Sequence, residues 1–334
     1  MMNCFINKIY AKFRSGTLNA AENAWLALHG WNIEHGKGKR ILLFHGIDQT
    51  GYLGFNSRFI SVGKFEKYLV YFKQHFNVVA LNEYFSLEGS PEPFTIALTF
   101  DDGYANVYKY VLPLLEQYRI PATFFVTAIR SIGKDILWTD FFDLATKATD
   151  ASFVFLGETY KKDWRGVYRS ATTNETLKSI AENFGYPEKE QLMKILPDAF
   201  RDDAQLTDYW LQLSEEQLIA LAKSNYAAIG SHALYHNYLT KIPHEYASRE
   251  LADSKKYLEN ITQKEISSIA YPYGAYTRAL IDDAESIGYK YQLAADDFLY
   301  PEDRADQRLR ERMTLNPYIS FYNQIAAIPR GRFH

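Results

Sequence analysis

The chain has 334 residues, 47% of them hydrophobic, and a formal net charge of −3. That is enough for one large barrel or two ordinary domains with a full core. The evenly spread charge excludes nucleic-acid binding by bulk electrostatics, and the lone cysteine, Cys4, excludes an intrachain disulfide and fits a reducing compartment.

Residues 1–37 are expected to form a helical arm, with the main domain following from 38 to 334 across the linker Gly36-Lys-Gly-Lys-Arg40. Residues 4–13 have the pattern of a short basic amphipathic helix. Docking on the protein, or a frayed terminus, is the preferred reading, and a peripheral membrane contact is the alternative. Polar residues interrupt each apolar run of Met1–Gly16, so no secretory signal is read and a cytoplasmic location is expected. No run approaches the roughly 18 apolar residues of a membrane span.

Ile41–Phe44 reads as the first strand, ending at His45-Gly46. Phe65, Leu69 and Phe72 then share one face of a helix capped by Ser61. Val78–Leu81, Thr95–Phe100 and Ala122–Thr127 are continuous apolar runs, as expected of parallel strands covered on both faces. Residues 130–213 break the rhythm and read as a mostly helical insertion, of the kind that forms a lid or rim. Ser214-Glu-Glu-Gln217 is a capping box with Leu213 and Leu218 as its hydrophobic staple, opening a crossover helix over 214–223. Tyr226–Ile229 is the next strand. Leu251, Ser254 and Leu258 line a helix after Pro243, and strand Ile266–Ala270 follows. Leu280, Ala284 and Ile287 line a helix between the N-cap Thr277 and the stop Gly288, before strand Tyr289–Ala294. Strands alternating with helices imply an α/β fold with a parallel sheet or barrel.

Two of these strands end in groups able to do chemistry. Thr95–Phe100 runs into Asp101-Asp-Gly103, and the strand from Tyr226 runs into Ser231-His-Ala-Leu-Tyr-His236. In parallel barrels the strand C-termini share one mouth, so both clusters face it. Two adjacent carboxylates raise one another's pKa unless a cation separates their roles. One Asp is then a metal ligand and the other a free base. Two imidazoles and one carboxylate leave positions open for water and substrate, as in a catalytic zinc site. His232 and His236 share a face if their segment turns helically. Taken alone, Asp-Asp-Gly is usually a turn and His-x-x-x-His an ordinary pair; their joint placement after strands is the specific signal. His45, ending the first strand, faces the same mouth and is a candidate proton donor. The Ala270-Tyr-Pro-Tyr-Gly274 turn also follows a strand. The chain is 16% aromatic with 26 tyrosines, compatible with sugar stacking, although most are expected to fill half-buried positions.

Thr99-Phe-Asp-Asp-Gly103, Ser231-His-x-x-x-His236 and Tyr271-Pro-Tyr-Gly274, in this order, resemble the NodB-homology polysaccharide deacetylases (carbohydrate esterase family 4). The resemblance covers about residues 40 to 297, interrupted by the insertion. It implies a distorted (β/α)7 barrel, matching the seven strand candidates, and metal-dependent removal of N- or O-acetyl groups from a carbohydrate. It implies Asp101 as general base, with Asp102, His232 and His236 as ligands of a divalent metal, usually zinc. The backbone N–H of Tyr273 would stabilise the oxyanion, and Thr99, Ser231, Tyr271 and Pro272 would support the site. The family often has Arg at the position of Ala270, and a late Leu-x-His that supplies the acid; here the next histidine after His244 is His334. A subgroup with Ala-Tyr-Pro-Tyr-Gly uses an early strand-end His, which makes protonated His45 the acid, and Arg312 or Arg58 would replace the missing Arg. The alternatives are a glycan-binding pseudoenzyme, or a deacylase of a lipid-linked sugar or small amide. The expected substrate is an acetylated carbohydrate of surface polysaccharide or glycan-precursor biosynthesis.

Overall fold

Every pairing in the central sheet is parallel. A computed structural model describes residues 36–51, 58–145 and 152–331, so the expectations for the N-terminal helix fall outside the described residues. The sheet strands are β1 (Lys39–Phe44), β2 (Asn77–Val78), β3 (Thr95–Phe100), β4 (Ala122–Val126), β5 (Ala227–Ser231), β6 (Ser268–Ala270), β7 (Tyr291–Leu293), β8 (Leu309–Arg310) and β9 (Met313–Thr314). Their order is β8-β7-β6-β5-β4-β3-β1-β9, with β2 beside the first half of β3. The fold is the expected distorted α/β barrel, and all seven strand candidates are present, several of them shorter than their apolar runs.

Two strands of the central sheet were not anticipated. β8 pairs with β7 and β9 pairs with β1, so one run of chain, 309–314, is attached to both edges of the sheet. Arg312 N–H donates to Ala295 O (2.8 Å) and Leu315 N–H to Leu43 O (3.0 Å), extending the stitch. The run is Leu-Arg-Glu-Arg-Met-Thr. Its charges mimic a surface segment, because one inward position is an arginine rather than an apolar residue.

The helices form where their caps and stripes require. Ser61 Oγ accepts from Lys64 N–H (3.2 Å), and Phe65, Leu69 and Phe72 of helix Val62–His75 are fully buried on the sheet. Each such side chain contributes about 1.5–3 kcal/mol of transfer free energy. The capping box at Ser214 forms as expected, with Leu213 and Leu218 both buried. Leu251, Ser254 and Leu258 of helix His244–Thr262 are buried against the barrel, and helix Arg278–Ile287 is capped by Thr277 and stopped by left-handed Gly288.

The insertion carries the expected helices, among them Trp138–Ala145 and Tyr186–Ile195. It also carries an antiparallel three-stranded sheet, Ser152–Phe155, Glu158–Lys162 and Tyr168–Ser170, which sequence reading did not separate from helix. These strands are short and half exposed, so their apolar period is weak; Gly157 and Gly166, both left-handed, make the turns. The insertion has its own apolar cluster, built on Trp138, Phe141, Phe142, Tyr160, Leu192 and Trp210, and Tyr273 of the barrel packs against it. Among the described residues no helix is long and apolar enough to cross a membrane.

Candidate metal centre and active site

The register aligns the strand ends: Phe44 pairs with Phe100, Phe100 with Phe124, and Ser231 with both Val126 and Ile269. Asp101 N–H donates to Phe44 O (3.0 Å) and His232 N–H to Val126 O (2.9 Å), which continues the ladders one residue into the motifs. The chain then turns sharply, with Asp102 at φ 73° and Gly103 at φ 78°. A side chain on Gly103 would lie 2.9 Å from Val126 Cγ1, so this turn needs glycine for space as well as for φ.

The turn delivers Asp102 against two imidazoles. Its Oδ1 lies 3.2 Å from His236 Nε2 and 3.4 Å from His232 Nε2, and all three residues are buried. His232 Nδ1 donates to Ala270 O (2.7 Å), which leaves Nε2 as the ring nitrogen facing Asp102. Neither Asp102 oxygen has a hydrogen-bond donor, although both are buried. A buried carboxylate facing the Nε2 atoms of two imidazoles has the donor set of a cation site, and these three residues could hold a metal ion. Burial would raise the Asp102 carboxyl, but opposing interactions, the Arg58 charge first among them, hold it well below the usual range. Burial lowers His236 despite the opposing Asp102, keeping that ring neutral as a ligand must be.

The two histidines do not share a helical face. Residues 232–236 form an irregular loop in which Ala233 (φ 58°) and His236 (φ 55°) are left-handed, and the rings meet at 5.0 Å. A helix would carry both side chains along one axis; the two left-handed residues instead fold the loop back over Asp102.

Asp101 faces a different cation. Arg312 Nη1 and Nη2 donate to its two oxygens at 2.6 and 2.7 Å, while Arg312 Nε donates to Ala294 O (2.7 Å). Burial pushes the Asp101 carboxyl up; Arg312 and then His232 bring it below its ordinary value. Of the two candidate arginines, Arg312 is the one that pairs with Asp101. Arg58, the other candidate, goes elsewhere: its Nη1 donates to His45 Nε2 (3.0 Å) and its Nη2 lies 3.7 Å from Asp102 Oδ2.

His45 is buried at the mouth as expected, but it is not the protonated group sequence reading anticipated. Burial first, and the Arg58 charge second, lower it to about 3, and Arg58 fills its Nε2 acceptor site. The resting ring is neutral.

The supporting residues fall into two groups. Thr99 Oγ1 donates to Leu42 O (2.8 Å) and lies 3.4 Å from Arg312 Nη1. Ser231 Oγ meets Ser254 Oγ at 2.8 Å and accepts from Ala233 N–H (3.2 Å), which holds the histidine loop at its root. Pro272 opens a tight turn that leaves Tyr273 at φ 61°, with its ring 4.9 Å from the His236 ring and stacked on Tyr238 at 4.5 Å. Tyr271 points away from the centre: its hydroxyl donates to Gln292 Oε1 (2.6 Å), which fastens β6 to β7.

Sequence reading missed a further carboxyl. Asp140 of the insertion is buried beside this centre and accepts from Tyr104 Oη at 3.0 Å. Burial, then the Asp102 charge, push it up to about 8. Nothing in its spacing marks it; only the adjacency of Tyr104 to the Asp-Asp-Gly turn hints at a partner.

The sequence profile of the family described as polysaccharide deacetylase matches residues 88–183 and 199–292, more than half of the chain. YxkH of Bacillus subtilis (strain 168), whose polysaccharide deacetylase name is itself provisional, is 29% identical over 108 residues. That match covers 32% of this chain and 38% of the relative, little more than a third of its length. Among solved structures, the chain is similar to Streptococcus pyogenes deacetylase PplD in complex with acetate (17% identity, TM-score 0.52, covering 88% of this chain and 98% of that one). It is also similar to IcaB from Ammonifex degensii (18% identity, TM-score 0.54, the same two coverages). At these identities the structural likeness speaks for the fold. With the fold, the strand-end motifs and the family match in hand, the chain belongs to the polysaccharide deacetylase family of NodB-homology hydrolases.

Proposed function

We propose that this protein removes acetyl groups from the nitrogen, or the oxygen, of a carbohydrate with the help of a divalent metal, zinc being the first candidate. The observation that carries this reading is the separation of the two carboxylates: Asp101 is held ionised by Arg312, while Asp102 faces the two histidines. A metal held by Asp102, His232 and His236 would lower the pKa of its water from about 15.7 to roughly 7. Asp101 then takes the proton from the attacking water, steadied by the guanidinium fork of Arg312. The backbone N–H of Tyr273 supports the developing oxyanion; one such donor is worth roughly 3–4 kcal/mol of barrier. His45, neutral at rest with its Nε2 accepting from Arg58, would first take up the proton that Asp101 removed from the water and then pass it to the leaving amine or hydroxyl. A cleft of about 610 Å³, of a size to take a sugar, is lined in part by Arg58 and Arg312, the two arginines beside the carboxylates, and by Asp296, Asn316 and Tyr318. Surface polysaccharide, or a precursor of it, is the proposed substrate class. The binding-only alternative rested on the missing arginine and the displaced acid; the pairing of Arg312 with Asp101 speaks against the first of these grounds.

The test is acetate release from N-acetylglucosamine oligomers, with zinc, after chelation, and for Asp101→Asn. Metal-dependent release that is lost in Asp101→Asn, with metal binding kept, supports the assignment. Undiminished release by a clean Asp101→Asn preparation sinks it.

A further inference from the structure

The metal-ligand loop is clamped from outside the barrel. His236 is left-handed (φ 55°), a conformation that is unfavourable for a non-glycine residue and persists only where the surroundings enforce it. Each residue around it is held. Tyr235 N–H donates to Glu250 Oε2 (3.2 Å). His236 O accepts from Trp138 Nε1–H (3.0 Å). Asn237 uses both ends of its amide: Nδ2 donates to Glu250 Oε1 (2.6 Å), and Oδ1 accepts from Lys189 Nζ (2.5 Å). The Lys189 ammonium also lies 4.3 Å from the centre of the Trp138 ring. Lys189, Asn237, Glu250 and Trp138 are all buried, and Lys189 is 0% exposed.

A lysine is almost never fully buried unless its charge is compensated. Here the burial has a geometric result: Lys189 and Trp138, both from the insertion, grip the chain on either side of the His236 peptide, and Glu250 of the barrel helix His244–Thr262 completes the clamp. We infer that the insertion is a positioning element for the metal, with Lys189 and Trp138 acting through Asn237 and the His236 carbonyl to hold His236 toward Asp102. This rests on the reading of Asp102, His232 and His236 as metal ligands. It gives the insertion a role beyond covering the site, since the barrel alone supplies His236 but only part of what holds its backbone.

The experiment is zinc affinity of the full-length protein, measured by competition with a chromophoric chelator, for wild type, Lys189→Met and Trp138→Phe, alongside Tm of each metal-free protein. Lys189→Met keeps the apolar stem over Trp138 and removes the ammonium; Trp138→Phe keeps a ring and removes the N–H donor. Loss of such outer partners typically weakens metal binding about 10–100-fold. The expected result is a weakening of that size in each folded variant, with zinc raising Tm less than in wild type. A folded variant that binds zinc as wild type does overturns the inference while leaving the metal centre intact. Should Lys189→Met fail to fold, Trp138→Phe decides alone. Wild-type protein that binds no zinc overturns both the inference and the reading beneath it.

Discussion

Asp101 and Asp102 are neighbours in the chain, yet they face different cations and so acquire different chemistry. Removing one partner should expose this. In Arg312→Met the Asp101 carboxyl loses the charge that holds it down, so its pKa rises and the base is protonated at pH values where wild type is ionised. The acid limb of the kcat/KM profile should move to higher pH, and kcat should fall about 100-fold or more, as expected for a misplaced general base; an unmoved limb counts against the pairing. Asp140 has the opposite sign. Its folded-state pKa of about 8 lies above the unfolded carboxylate value of 3.8, so the native state binds the extra proton and stability falls as pH rises between those values. Asp140→Asn has no proton to lose, so its Tm relative to wild type should climb from pH 5 to pH 8. A flat difference across that window would show that Asp140 is ionised throughout. The paired carboxylates and paired histidines were legible in the sequence because their spacing is local. The choice between Arg312 and Arg58 was not, because only the register of β9 on β1 turns Arg312 inward.

At the level of elements, helices were easier to read than short strands. Ser61, Ser214 and Thr277 announce helix starts through hydrogen bonds made within three residues, which sequence spacing reveals. β8 and β9 are two residues each and take their existence from neighbours far away in the chain. The histidine loop was misjudged for a related reason: four-residue spacing suits a helix, but Ser231, Glu250 and Trp138 hold the backbone in another path. The turn beneath Tyr273 shows how tightly such irregular pieces are fitted. A methyl on Gly274, at φ 66°, would lie 2.5 Å from Ala295 Cβ and 2.6 Å from its backbone N. Gly274→Ala should therefore cost about 2 kcal/mol or more and displace Tyr273. Calorimetry and the acetate assay read the two effects, and a variant with wild-type Tm and rate would contradict the packing described.

On the scale of the whole molecule, the proposed metal centre should also act on stability. Two buried imidazoles and a donorless carboxylate are costly until a cation joins them. Zinc at about 100 times its Kd should stabilise the fold by roughly 2.7 kcal/mol, and a chelator should remove that gain. The check is Tm with zinc and with chelator for wild type and Asp102→Asn, the variant responding little; an equal response in both would place the ion elsewhere. The seam made by residues 309–314 has a different kind of consequence. Asp101 and Arg312 are separated by 211 positions in the chain, and the guanidinium arrives only when that last stitch joins the two edges. During synthesis the carboxylate exists long before its partner, so a growing or truncated polypeptide has the ligands but an unrestrained base. If Asp101 is the base, as proposed, hydrolysis waits until translation has passed residues 309–314 and both edges of the sheet are joined.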